Sequence, residues 1–345
     1  MARFIQLHFL TCYAPSNLNR DDLGRPKTAL FGGTLRLRVS SQSLKRAWRT
    51  SDSFRAALEG HIGTRTKDFG NKAHEALKNA VPDKADAFAK LIGEQYGKLK
   101  TKGDARQTET LVHVTPGELA ALNALAAQLA KEKRAPTKEE LDGLIAQARG
   151  AADIALFGRM LAAKPMFNVE ASAQVAHAIS IHKIAIEDDY FTAVDDLIVD
   201  KDETGAGHIG RQEFAAAVLY QYICIDRDLL KNNLGGDKAL VAKTLDALVR
   251  ACLTVAPSGK QNSFASRAHA SYALAEKGDF QPRSLAVAFL EPVKGEGLMA
   301  KAIECLSATR KRFDQAYGVE SKSKSFDVEK GDGSLDELAK FVSEE

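Results

Sequence analysis

GAGHIG, residues 205 to 210, matches G-x-G-x-x-G letter for letter, and the fold class turns on how it is read. A dinucleotide fingerprint follows a buried strand, opens a helix and has an acidic residue about 20 positions on, inside a βαβ unit. Neither flank meets that test. Before the motif lies the acidic run EDDYFTAVDDLIVDKDET (187–204). After it comes RQEFAAAVLYQYICID (211–226), whose Val218, Leu219, Tyr222, Ile223 and Ile225 read as a strand rather than a phosphate-binding helix. The doubly wound parallel fold is therefore set aside. A Gly-rich tip carrying one apolar residue, Ile209, suits a protrusion that reaches a partner.

Outward from that tip, RFIQLHFLTCY (3–13) sets Phe4, Ile5, Leu7 and Phe9 around polar Gln6 and His8, close to the period-2 alternation of a half-buried strand. TLRLRVS (34–40) alternates Leu35, Leu37 and Val39 with Arg36 and Arg38, which predicts a strand with an outward cationic face. ADIALFGRM (152–160) and VAHAISIHKIAI (175–186) read as extended or short-helical. ASYALAEKG (270–278) and SLAVAFLEPV (284–293) are expected strands, and LVAKTLDALVRACL (240–253) and 297–317 expected helices. Between the early and later strands, residues 53–150 are rich in Ala, Leu, Lys and Glu. Gly70, Pro82, Gly103, Pro116 and Pro136 punctuate them into short helices. The expectation is α+β: a mostly antiparallel sheet domain interrupted by a helical insertion, with no internal repeat.

The 345 residues contain no apolar run near the ~18 to 20 needed to span hydrocarbon, and no signal-type segment opens the chain, so a cytoplasmic protein is expected. Cys12, Cys224, Cys252 and Cys305 are far apart, without C-x-x-C spacing, and read as small core residues rather than zinc ligands or a disulfide framework. Net charge is only +3, yet residues 1–60 hold ten Lys/Arg against four acids. Residues 187–204 hold eight acids (Glu187, Asp188, Asp189, Asp195, Asp196, Asp200, Asp202, Glu203) against Lys201. These are either two solvated surfaces or complementary patches on successive copies, whose pairing would favour head-to-tail assembly.

SSQSLKRAWR (40–49) carries the most chemistry. Ser40 or Ser41 is an N-cap candidate, and on a helix Gln42, Lys45, Arg46 and Arg49 share one arc while Leu44, Ala47 and Trp48 share the opposite one. One reading is an ordinary amphipathic surface helix. The other is an anion site, because Arg36, Arg38, Asn19, Arg20 and Lys27 precede it and a helix N-terminus favours phosphate. Backbone contacts of this kind give affinity without reading sequence. Aromatic residues make up only 7%, with no RNP-type pair, so base stacking is not the expected mode. Asp21 and Asp22 are candidates for metal-dependent chemistry or, alternatively, for local ion pairs and turn capping. His177 and His182 lack the H-E-x-x-H pattern and read as structural. With no Walker or G-x-S-x-G motif, no cofactor and no metal are expected.

The ordered segments SNLNRDDLGRPKTALFGGTLRLRVSSQSLKRA, IALFGRM, VAHAISIHK, DYFTAVDDL and GAGHIGRQEFAAAVLYQY resemble the backbone subunit of the type I-E CRISPR Cascade complex, the CasC-like proteins of the RAMP superfamily. The resemblance spans most of the chain. It is most specific at the N-terminus, and residues 53–150 and the last thirty match only in character. It implies a right-hand shape: a modified RRM-like (ferredoxin-like) palm at 1–52, 160–190 and 215–345, helical fingers at 53–159 and a thumb loop at 191–214.

It implies, further, several copies along one CRISPR RNA, with each thumb displacing a nucleotide of the guide and leaving short stretches to pair with target DNA, and other Cascade subunits capping and lining the filament. The positions matching the family imply RNA contacts at Asn19, Arg20, Lys27, Ser40, Gln42, Lys45, Arg46 and Arg49, joined by Arg36 and Arg38 on the preceding strand. Arg159, Met160 and Met166 follow from the fingers, and His208 and Ile209 from the thumb tip, where an apolar wedge replaces base readout. Trp48, Phe157 and the KDETGAG approach to the tip depart from the family pattern. The scaffold so implied is not an enzyme. The competing reading is a metal-dependent ribonuclease of a related CRISPR complex, using Asp21 or Asp22.

Overall fold

In a computed structural model of the chain, residues 2–146, 150–193 and 208–344 are described. Asp195, Asp196, Asp200, Asp202 and Glu203 of the acidic run, Gly205 and Gly207 of the opening motif, and most of the expected thumb lie outside the described residues. The chain divides into two compact units. One comprises Met1–Ser51, Val175–Cys224 and Leu248–Glu345, the other Asp52–Gln174 and Ile225–Ala247.

The first unit is built on one sheet of β1 (Phe4–Ser16), β2 (Thr28–Phe31), β3 (Thr34–Val39), β4 (Ala178–Ser180), β5 (Glu187–Ala193), β6 (His208–Asp226), β7 (Ala270–Gly278) and β8 (Lys322–Asp327). The order is β8-β7-β1-β6-β4-β3-β2, with β5 also paired to β6. The pairs β1/β7, β7/β8, β2/β3, β3/β4, β4/β6 and β5/β6 are antiparallel, as the alternating patterns led one to expect. Gly32 and Gly33, at φ 59° and 71°, form the two-residue turn between Phe31 and Thr34, the geometry that requires positive φ at both positions. At Gly32 a Cβ would also lie 1.6 Å from the Leu290 carbonyl oxygen, so a side chain is excluded twice over.

β1 departs from the half-buried expectation. Ile5 through Thr11 are all buried, polar Gln6 and His8 included, because both faces of this central strand are covered. The polar groups are satisfied. Tyr222 donates to Gln6 Oε1 at 2.9 Å, and His8 lies between Tyr220 Oη (2.9 Å) and Glu276 (3.1 Å). Helix Leu298–Tyr317 lays Met299, Ala302, Ile303 and Leu306, an i, i+3, i+4, i+7 stripe, into a core with Leu10, Val218, Tyr220 and Leu274.

Residues 284–293 are not the expected strand. Ala286–Phe289 is a 3₁₀ turn that buries Leu285 and Phe289 and leaves Val287 and Leu290 exposed. Its backbone is spent elsewhere: Leu285 N–H donates to Tyr220 Oη, and the Phe289 and Leu290 carbonyls accept from Arg36. Cys12 is exposed rather than a core residue, whereas Cys224 and Cys252 are buried as expected, and all four cysteines are free thiols.

The second unit has its own core, drawn from helices Phe69–Leu77, Ala85–Tyr96, Pro116–Glu132 and Lys138–Ala146, with Phe69, Tyr96, Leu122, Leu129 and Ile145 among its buried residues. This unit takes in residues on both sides of its helices. Leu161 is in its core and Arg159 bridges Val169, which keeps 160–174 with it. Residues 225–247 also join it rather than the sheet unit, since Asp226 N–H donates to the Ser172 carbonyl at 2.8 Å and Asn233 Nδ2 to those of Glu170 (2.8 Å) and Ala155 (3.1 Å). Among the described residues, no helix is long and apolar enough to cross a membrane.

Candidate nucleic-acid interface

The helix foreseen at 40–49 is α1 (Ser41–Thr50), entered directly from β3. Ser40 adopts extended backbone and its hydroxyl accepts from Ser43 N–H at 3.3 Å, satisfying one of the otherwise orphaned amides of the first turn. Leu44 and Trp48 are buried, while Gln42 and Arg46 are exposed and Lys45 and Arg49 half-buried. The apolar side is therefore held by the unit's interior and the cationic side is presented. Loss of the cap is expected to be measurable: Ser40→Ala should cost about 1 kcal/mol in chemical denaturation, and an unchanged midpoint would mean that the cap is not supporting the helix.

The loop before β2 is tied to this helix start. Asn19 Oδ1 accepts from Ser40 N–H at 2.9 Å, Lys27 N–H donates to the Asn19 carbonyl at 2.8 Å, and Arg38 N–H donates to the Lys27 carbonyl at 2.8 Å. Asn17 Nδ2 donates to the carbonyls of Gly24 (3.0 Å) and Glu213 (2.9 Å), fixing the loop from its other side. Asp21 Oδ1 accepts from both Leu23 and Arg25 N–H at 2.9 Å, the turn-capping alternative for this carboxylate. Asp22 is exposed. Arg20, which makes a β-bridge with Pro26, is exposed at the loop's edge.

A residue read from the sequence as structural stands at the centre of this cluster. His177 is exposed, and its Nδ1 lies 2.9 Å from Arg38 Nη1. Desolvation, followed by the charges of Arg38, Lys27 and Lys45, holds its pKa below the usual imidazole value. Arg38 on a strand touches the imidazole, and the charges of Lys27 in a loop and Lys45 on a helix act on it as well. The pairing of Val39 with Ala178, continued by one residue, sets His177 against Ser40 at the mouth of α1. Only this strand register, which the short VAHAIS segment does not announce, reveals the placement.

Two expected contacts are corrected. Arg36 does not face outward: it is 0% exposed and donates to the carbonyls of Phe31, Ser180, Phe289 and Leu290 and to Thr34 Oγ1, so its guanidinium is consumed in joining β3 to the 286–289 turn. Arg159 is buried as well. Its Nη1 donates to Glu118 at 2.7 Å and to the His113 carbonyl at 3.2 Å. Glu118 is itself the N3 residue of a capping box with Thr115, so Arg159 locks the start of helix Pro116–Glu132.

Met160 and Met166, beyond Arg159, are each 82% exposed on the helical unit. His208 and Ile209 open β6, paired with Ala193 and Thr192, and Ile209 is 58% exposed. Gly210, last residue of the opening motif, sits opposite Phe191, whose ring a Cβ would meet at 2.2 Å. Here the glycine makes room for an aromatic ring across a ladder, a role unrelated to phosphate binding.

These features define a class: an α+β protein with an antiparallel sheet, a separate helical insertion and a capped cationic helix set beside a basic loop. The chain belongs to the CT1975-like protein family, Cas_CT1975, whose model matches residues 5–344. It is similar to a chain of a solved "CRISPR RNA-guided surveillance complex, pre-nicking", with 29% identity and a TM-score of 0.86 over 99% of both chains. A chain of another "CRISPR RNA-guided surveillance complex" is 26% identical with a TM-score of 0.74, over 97% of this chain and 94% of that one. No curated protein matches significantly. The resemblance to CRISPR Cascade subunits drawn from the sequence is thereby borne out.

Proposed function

We propose that this chain is the non-catalytic guide-binding backbone subunit of a type I-E Cascade complex. Several copies assemble head-to-tail along one CRISPR RNA, hold it by its phosphates, segment it and present it for pairing with target DNA in antiviral defence. The observation that supports this best is the convergence of Lys27, Arg38 and Lys45 around His177, beside the capped N-terminus of α1. Positive charge fixed on a strand-to-helix junction suits a phosphate chain of any sequence.

In this reading the sheet is a modified RRM-like palm and the helical unit forms the fingers. His208 and Ile209, at the start of β6, belong to a thumb that wedges apart neighbouring nucleotides. Sequence specificity comes from the guide's base pairing and not from the protein.

The experiment is the mass, by light scattering, of the purified chain on single-stranded RNAs of increasing length, with the RNA recovered afterwards. Mass rising in regular steps on intact RNA is the expected result. A mass fixed at one copy on every length would overturn autonomous assembly, and cleaved RNA would overturn the non-catalytic role and favour the Asp21 or Asp22 ribonuclease.

A further inference from the structure

We propose that His177 is a proton-linked contact of the anion site: when a phosphate binds, the imidazole takes up a proton and Arg38 turns a donor from the imidazole to the phosphate. The inference rests on the reading of this surface as an RNA-backbone site and adds to it a residue and a pH dependence.

Donor chemistry sets the starting state. A guanidinium has no lone pair to offer, so in the 2.9 Å pair Arg38 Nη1–H donates and His177 Nδ1 accepts. Nδ1 is therefore unprotonated, and the neutral ring carries its hydrogen on Nε2. The charges acting on the ring come from three elements: Arg38 on β3, in contact with Nδ1, Lys27 in the loop before β2 and Lys45 on α1. All are cations, and together with desolvation they oppose a further positive charge on the ring.

A phosphate arriving among these cations reverses that balance. Its negative charge offsets Lys27 and Lys45, and a proton from solvent adds to the Nδ1 lone pair. Nδ1–H and Arg38 Nη1–H are then two donors that cannot share a bond, so the pair separates. Arg38 also donates from Nε to the Thr28 carbonyl at 3.4 Å, which keeps the guanidinium near the site once Nη1 is released. The histidine gains a donor for the anion and frees one on Arg38. His177 is exposed, so neither proton nor phosphate has to enter a closed interior.

The sign follows from linkage. Binding that takes up a proton strengthens as pH falls, by at most about tenfold per pH unit for one proton per site. RNA phosphodiesters do not titrate near neutrality, so the slope belongs to the protein.

The test measures the affinity of the full-length chain for a mixed-sequence single-stranded RNA at constant salt, between about pH 8 and about pH 6, where histidine titrates. Wild type is expected to bind tighter as pH falls through this window, by up to about tenfold per unit where the free and bound rings differ in protonation. His177→Asn should remove most of that slope while His269→Asn, at an exposed histidine with no role in the site, keeps it. NMR of the ring C–H signals should show the His177 pKa rising when RNA is added. A slope unchanged in His177→Asn, or a ring that stays neutral when RNA binds, would overturn the inference while leaving RNA binding intact. Absence of RNA binding at every pH would overturn the backbone-site reading itself, and the inference with it.

Discussion

Glu276→Ala is expected to destabilise the sheet unit by about 3–5 kcal/mol, the range for removing one partner of a buried charge network. The Glu276 side chain is fully buried on β7. It accepts from Nη1 and Nη2 of Arg283 at 3.2 Å each, from Arg310 Nε at 2.8 Å, from Ser321 Oγ at 3.1 Å and from His8. Truncation would leave two arginines, each only partly exposed, with Asp314 as their shared anion, 2.7 Å from Arg283 Nη2 and 3.6 Å from Arg310 Nε. They can recover some hydration, so the lower end of the range is the better expectation. For a chain of this size the melting temperature should fall by roughly 4 to 7 °C. Glu276→Gln, which keeps an acceptor and the volume, should cost less than the alanine substitution. Equal losses would mean that the carboxylate charge contributes nothing and the effect is a cavity.

The same network fixes how stability depends on pH. Burial alone would raise the Glu276 carboxyl, but the hydrogen bonds from His8 and Arg283 and the charge of Arg283 outweigh it and hold the group far below the ordinary carboxylate range. Its contribution is complete above the unfolded pKa of about 4.3 and is lost as pH falls toward the folded value. His8 is shifted down by burial, which wins over the Glu276 carboxylate, so the ring stays neutral in the folded chain. Below about pH 6.5 the unfolded state therefore binds a proton that the folded state refuses, and stability declines as pH falls. Both groups act with the same sign. Denaturation midpoints should drop in two stages on acidification, and a His8 substitution that folds should flatten the first stage only.

What the sequence revealed and what it hid follow from the range of the interactions involved. α1 was legible down to its cap because Ser40, Leu44 and Trp48 obey a local period, and the basic face is simply the remainder. Arg36 and Arg38 look equivalent in TLRLRV, yet one is buried under five acceptors and the other reaches His177, a difference set by partners more than 130 residues away. The run at 284–293 is apolar enough for a strand, but its backbone groups are claimed by Tyr220 and Arg36. Residues 160–174 and 225–247 join the helical unit through hydrogen bonds such as Asp226 to Ser172, which leave no mark on composition. His177 was hidden for a similar reason: pairing between β3 and β4 brings it to the mouth of α1, and no spacing within VAHAIS reports that.

Lys45→Ala combined with Arg49→Ala is expected to lower affinity for single-stranded RNA by about 10- to 100-fold, on the scale of two solvent-facing hydrogen bonds at ~0.5–1.5 kcal/mol each. The loss should be the same for every sequence tested. If each residue neutralises one phosphate, the slope of log K against log salt should fall in magnitude by about 1.4, that is ~0.7 per contact on a single strand. Leu44 and Trp48 hold the opposite face of α1, and a denaturation curve of the double variant separates any loss of stability from the loss of affinity. Arg36→Met provides the opposite case. Breaking its bonds to four carbonyls should weaken folding, yet a buried guanidinium neutralises no phosphate, so the salt slope of the folded fraction should stay at the wild-type value. A slope that falls for Arg36→Met and not for the helix pair would place the polyanion on a different face and remove α1 from the interface. A loss confined to some sequences in the helix pair would mean that these residues read bases, contrary to a site that recognises only the phosphate chain.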